Sequence, residues 1–87
     1  MKKKIICNMI DMGFKPELKG FEYILHEVLQ KIKGERFFVD TNKKLSKKRD
    51  TNEIAIERSI RYSISISNKN DLKNSQVVKL LQEMLVQ

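Results

Sequence analysis

The segment 21–34 constrains the fold most. Phe21, Ile24, Leu25, Val28, Leu29 and Ile32 stand at i, i+3, i+4, i+7, i+8 and i+11, and Gly34 follows two residues after the last of them. That spacing puts every large apolar side chain on one face of an α-helix, and glycine is a common helix stop. Such a face must be covered, so the rest of the chain has to supply partner helices. The other side of this helix is expected to be polar and solvated: Glu22, His26, Glu27, Gln30 and Lys31.

Partner segments can be read along the chain. Residues 2–12 carry Ile5, Ile6, Met9 and Ile10 at helical spacing before Gly13, and Phe14–Leu18 with Pro16 is a short connection. Phe37-Phe38-Val39 reads as a short strand or a buried linker, with Asp40 or Thr41 capping a helix over 42–49 whose apolar anchor is Leu45. Asp50-Thr51-Asn52 offers a turn and a fresh N-cap. Residues 52–66 resume helical period through Ile56, Ile60 and Ile64. Tyr62–Ser67 alternates with period two, so a short β-wing competes there with a longer helix; helix is the expectation. Asn68–Asp71 is a turn, and Asn74 or Ser75 caps a last helix with Val77, Val78, Leu81, Met84 and Leu85 on one face. The fold class expected is therefore mainly α, a helix-turn-helix or winged-helix-like bundle of about five helices over 1–87 as one domain, with the helix-turn-helix at about 41–66.

With 87 residues the core is modest, and a dimer is expected to help it. Eighteen Lys and Arg against eleven acids give a net charge of +7, which favours a polyanionic partner. The single cysteine, Cys7, has no internal partner; among apolar neighbours it is expected to be a small buried core residue, and the chain reads as cytoplasmic. Met1–Ile6 imitates a secretory signal, but Asn8 and Asp11 break the apolar run and no small-residue cleavage site comes after it. No membrane span is expected.

No phosphate loop, metal-ligand cluster or nucleophile–base pair is visible, so no catalytic residue, cofactor or metal is expected and the chain does not read as an enzyme. The only histidine, His26, lies on a polar helix face and is expected to be solvated.

Function concentrates in 42–66. Residues 42–49 place five cations in eight positions; Lys43, Lys44, Lys47 and Lys48 make a stripe suited to a phosphate backbone. Arg49 is expected to point outward and add to it. On a helical wheel of 52–66 the three isoleucines share one side, while Ala55, Arg58, Tyr62 and Ser65 face away with Ile54 and Arg61 beside them. Arginine matches two acceptors of guanine in the major groove, small Ala55 permits close approach, and Tyr62 reaches phosphate or base.

Several runs are similar to a known family. Gly13-Phe14-Lys15-Pro16-Glu17-Leu18-Lys19-Gly20-Phe21-Glu22-Tyr23-Ile24 resembles the start of the DNA-binding effector domain of the stage-zero sporulation protein A response regulators. Leu45–Thr51 and Ile56–Arg61 resemble its helix-turn-helix, and Asn74–Val78 the opening of its last helix. The resemblance implies an all-helical winged-helix-like fold that binds promoter DNA, with arginines of a Glu-Arg-x-x-Arg pattern on the DNA: Glu57, Arg58 and Arg61 here. Three features depart from the family. The receiver domain is absent from this sequence. Ala55 stands where a basic residue is usual, and Arg49 where an apolar one is. The link 68–73 is much shorter, in a region that helps the family domain touch RNA polymerase, so repression is expected over activation.

The expectation is thus a stand-alone sequence-specific binder of double-stranded DNA, a homodimer on its site, acting as a transcriptional regulator or a mobile-element accessory protein. Its expected DNA-binding residues are Lys43, Lys44, Lys47, Lys48, Arg49, Thr51, Asn52, Glu57, Arg58, Arg61 and Tyr62. Two other classes stand beside it. One is an interaction module that pairs with a homologous full-length regulator through an apolar patch, with 77–85 as its candidate segment. The other is a basic amphipathic binder of membrane surfaces.

Overall fold

The computed structural model describes the backbone of residues 1–34 and 38–85, and the side chains of all of these except 38 and 39. Five helices run in order: α1 (Lys2–Asp11), α2 (Lys19–Ile32), α3 (Phe38–Lys48), α4 (Glu53–Ser65) and α5 (Asn74–Met84). No strand occurs among the described residues. The radius of gyration is 11.7 Å, close to the value of about 12 Å for a collapsed chain of this length.

Helix α2 is the hub, packing against all four other helices. Its stripe enters the core as the spacing requires: Phe21, Ile24, Leu25 and Val28 are buried, with Leu29 and Ile32 packed at the margin. Around it stand Ile5 and Met9 of α1, Leu45 of α3, Ile56, Ile60 and Ile64 of α4, and Val77, Val78 and Leu81 of α5. The tightest approach is to α4. At Gly20 a β-carbon would overlap the Ser59 carbonyl and the Ser63 hydroxyl, so only glycine lets the two helices meet there.

The link between α1 and α2 is pinned at Gly13, whose φ of +88° suits glycine. Beside it the Asn68 amide donates to the Met12 carbonyl at 2.9 Å, tying the turn after α4 to the end of α1.

Several expectations are corrected. Helix α3 starts at Phe38, so residues 38–39 form neither a strand nor a linker; Phe37 lies outside the described residues. Asp40 and Thr41 are inside this helix and do not cap it. The reason is chemical: the inward positions of α3 are Thr41, Asn42, Leu45 and Ser46, all buried, so its face is largely polar and a search for apolar period misses it. Residues 62–65 continue α4, and 66–73 run through turns. A wing is therefore not supported at 62–67. Period four wins there because Ile60 and Ile64 are buried while Ile66 is 39% exposed. The last turn closes with Ser67, whose hydroxyl donates to the Ile64 carbonyl at 2.7 Å. Helix α5 starts one residue early: its N-cap is Lys73, whose backbone amide is taken by the Gln76 side chain at 2.8 Å. Cys7 is exposed rather than buried. Ile5 and Met9 take the inward positions of α1, leaving Cys7 on its outer side.

Among the described residues, no helix is long and apolar enough to cross a membrane.

Candidate nucleic-acid interface

Helices α3 and α4 are joined by four residues, Arg49–Asn52, and each end of that turn is closed by its own hydrogen bonds. At the end of α3 the Thr51 amide donates to the Ser46 carbonyl at 2.9 Å and the Asp50 amide to the Lys47 carbonyl at 3.4 Å. Asp50, between them, has a φ of +52°. This pattern is the Schellman stop, with aspartate in the left-handed position that glycine usually takes. At the start of α4 the Asn52 side-chain oxygen accepts from the Ala55 amide at 2.8 Å. That is the expected N-cap, worth about 1 kcal/mol. The Asn52 oxygen is thus engaged within the turn, and Thr51 is half-buried there.

Helix α4 divides into two faces. Ile56, Ile60, Ser63 and Ile64 are buried. Glu57, Arg58, Arg61 and Tyr62 are exposed, and so is Ile54, at 61%. Ile54, Glu57, Arg58 and Arg61 line one shallow depression of about 230 Å³ together with Asn74 from the start of α5. The Asn74 amide nitrogen donates to the Glu57 carbonyl at 3.2 Å, anchoring α5 beside this face. Two guanidinium groups and an apolar side chain therefore share one open surface. Ile54 is absent from the expected set, although the wheel places it beside the arginines; an apolar residue carries no charge signal.

The basic stripe is less uniform than its sequence suggests. Lys43, Lys44, Lys47 and Lys48 are all exposed. Arg49 points outward as expected but is ion-paired with Glu22 of α2; both side chains are about half exposed. Lys48 and Arg49 line a second depression on the α2 side, which shares no residue with the one on α4. Five of the eleven expected residues thus line two separate depressions: Glu57, Arg58 and Arg61 on α4, and Lys48 with Arg49 against α2.

Two residues of the expected polar face of α2 differ from expectation. Glu27 is buried, at 2% exposure. Burial raises its carboxyl from near 4.5 to about 8, against a smaller opposite pull from its hydrogen bond with Thr41. His26 is half-buried rather than solvated; desolvation first, then the charges of Lys48 and Lys33, hold it below its ordinary value near 6.5. Neither feature is visible in local sequence, because each depends on what α3 brings to α2.

Among the described residues no three His, Cys, Asp or Glu side chains gather as a metal ion would need. No protein-family model matches the chain, and the searches of characterised proteins and of solved structures returned no significant similarity.

Proposed function

We propose that the chain binds double-stranded DNA sequence-specifically, with α3 and α4 acting as a helix-turn-helix and α4 as the helix that enters the major groove. The observation that carries this reading is the outer face of α4, where Arg58 and Arg61 lie exposed while Ile56, Ile60 and Ile64 of the same helix are buried. A recognition helix must be anchored on one side and carry hydrogen-bond donors on the other. Arginine presents a planar fork that meets guanine O6 and N7 together. Exposed Ile54, in the first turn of α4, suits a thymine methyl group.

Lys43, Lys44, Lys47 and Lys48 stand immediately before the turn and would grip phosphates. Asn52 and Thr51 enter this reading as residues that hold the turn, with Tyr62 and Glu57 flanking the arginines. The net charge of +7 favours attraction to DNA at long range. The role that fits is a transcriptional regulator, a repressor before an activator, or an accessory protein of a mobile element. The likeness of Leu45–Thr51 and Ile56–Arg61 to the sporulation effector domain agrees with this reading.

The exposed large apolar side chains among the described residues are Met1, Ile10, Ile54, Tyr62 and Ile66, none of them on α5. On α5 the apolar side chains are half-buried or buried, and Leu80 lines a depression of about 340 Å³ with Leu72, Gln76, Lys79 and Glu83.

Selection of duplexes from a random pool, and then mobility shift on the enriched sequence, tests the proposal. Enrichment of one sequence motif that Arg58→Ala no longer distinguishes from scrambled DNA supports it. Failure to enrich any motif refutes it.

A further inference from the structure

The depression on the α2 side has no part in the reading of α4, and its chemistry is one-sided. It measures about 280 Å³ and is lined by Lys2 at the start of α1, by Glu22, His26 and Lys33 of α2 and its C-cap, by Lys48 ending α3, and by Arg49. Four basic side chains from three helices and a turn thus face one carboxylate and one imidazole. Glu22 already serves as an internal anion for Arg49. Lys2, Lys33 and Lys48 add three further charges to the same space.

We propose that this cleft is a phosphate-binding site, in which Lys2, Lys33, Lys48 and Arg49 surround the phosphate oxygens and His26 donates from the rim.

The chemistry of the cleft favours phosphate in particular. Bringing like charges together costs energy that a multiply charged anion repays, and lysines serve as point charges while arginine binds oxyanions through its fork. Leu25 and Leu29 also line the cleft, so part of its wall is apolar and screens the charges less than open water does. A tetrahedral anion with several acceptors can meet donors arriving from different helices, whereas Glu22 is paired with Arg49. The histidine is held toward its neutral form by burial and by Lys48 and Lys33. An anion between those groups reverses the sign of the local field and favours the imidazolium, so binding of a phosphodiester, whose charge is constant there, tightens as pH falls through the range of histidine, while inorganic phosphate offsets part of that gain by taking up a proton itself. No α4 residue lines the cleft, so the site stands apart from base reading by that helix; Lys48, assigned above to DNA phosphate, is the residue the two readings share.

The full chain has a single histidine, so the ring of His26 is an unambiguous NMR reporter. Its titration is recorded between about pH 5 and 8 at constant ionic strength, in sodium chloride, in inorganic phosphate, and with a short DNA duplex. Phosphate or duplex is expected to move the midpoint upward by about half a pH unit or more relative to chloride. Lys33→Gln is expected to weaken that effect about two- to fivefold, and Glu22→Gln to strengthen it comparably, on the usual scale of about 0.2–1 kcal/mol for one exposed charge. A shift with inorganic phosphate identifies a free phosphate compound as sufficient. A shift with duplex alone, lost in Lys33→Gln, assigns the phosphate to a nucleic-acid backbone. No upward movement with either ligand, or a Lys33→Gln variant that binds as tightly as the parent, overturns the proposal. Loss of sequence-specific binding in Arg58→Ala with the His26 shift intact would bear on α4 alone.

Discussion

Gly20 of α2 lies directly against the Ser59 carbonyl of α4, with no room between them for a β-carbon. Because α2 touches every other helix, this contact sets where α4 sits and hence where its outer arginines point. Gly20→Ala gains helix propensity, at most about 1 kcal/mol. It also places a methyl against backbone, which cannot rotate away, and overpacking of this kind costs about 1–3 kcal/mol. The expected outcome is net destabilisation in a urea melt. Ser63→Ala, which removes a buried hydroxyl without a hydrogen-bond partner beside the same glycine, is expected to be neutral or stabilising.

Glu27 gives stability a pH dependence. Its carboxyl titrates near 4.5 unfolded and about 8 folded. A raised folded pKa means that the folded state holds its proton more tightly. The contribution is complete below about pH 4.5 and is lost as pH rises from there to about 8. Glu27→Gln keeps the shape and removes the titration. It is expected to flatten the stability profile between about pH 5 and 8 and to stabilise the protein at about pH 7 by about 1–3 kcal/mol. A Glu27→Gln variant whose stability relative to the parent does not grow from about pH 5 to 8 would show that Glu27 is ionised in the fold; the lowered His26 contributes equally to both proteins and cancels in that difference.

Asp50 ends α3 with a φ of +52°. A side chain in the left-handed region costs about 1–2 kcal/mol, less for Asp and Asn than for others. Asp50→Gly is expected to stabilise the protein by about 0.5–1 kcal/mol in chemical denaturation, since the turn's hydrogen bonds come from the backbone and stay in place. Destabilisation would mean that the aspartate side chain itself holds the turn.

Arg58→Ala is expected to cost about 1–3 kcal/mol on the selected DNA site and to relax the choice of one base pair. Being exposed, Arg58 contributes little to the fold, so unfolding should change by less than about 0.5 kcal/mol. Lys47→Ala should weaken selected and scrambled duplexes alike and reduce the log–log salt slope by about one. Equal affinity of Arg58→Ala and parent for the selected site would remove α4 as the reading helix.

The sequence alone determined the features that depend on neighbours a few residues apart. The stripe Phe21–Ile32 specified α2, the isoleucines at 56, 60 and 64 specified α4 and its outward arginines, and Asn52 specified where α4 begins. These signals are local because helix period and capping bonds link residues about three or four positions apart. Tertiary structure decided the rest. Helix α3 extends back to Phe38 because its polar Thr41 and Asn42 are buried beneath the bundle, which no apolar pattern announces. Glu27 is raised and Arg49 is paired because α3 and the turn after it meet α2, whose residues lie far from them along the chain. Burial and ion pairing depend on what arrives from elsewhere in the chain, and only packing brings Lys2, His26, Lys33 and Lys48 to one cleft.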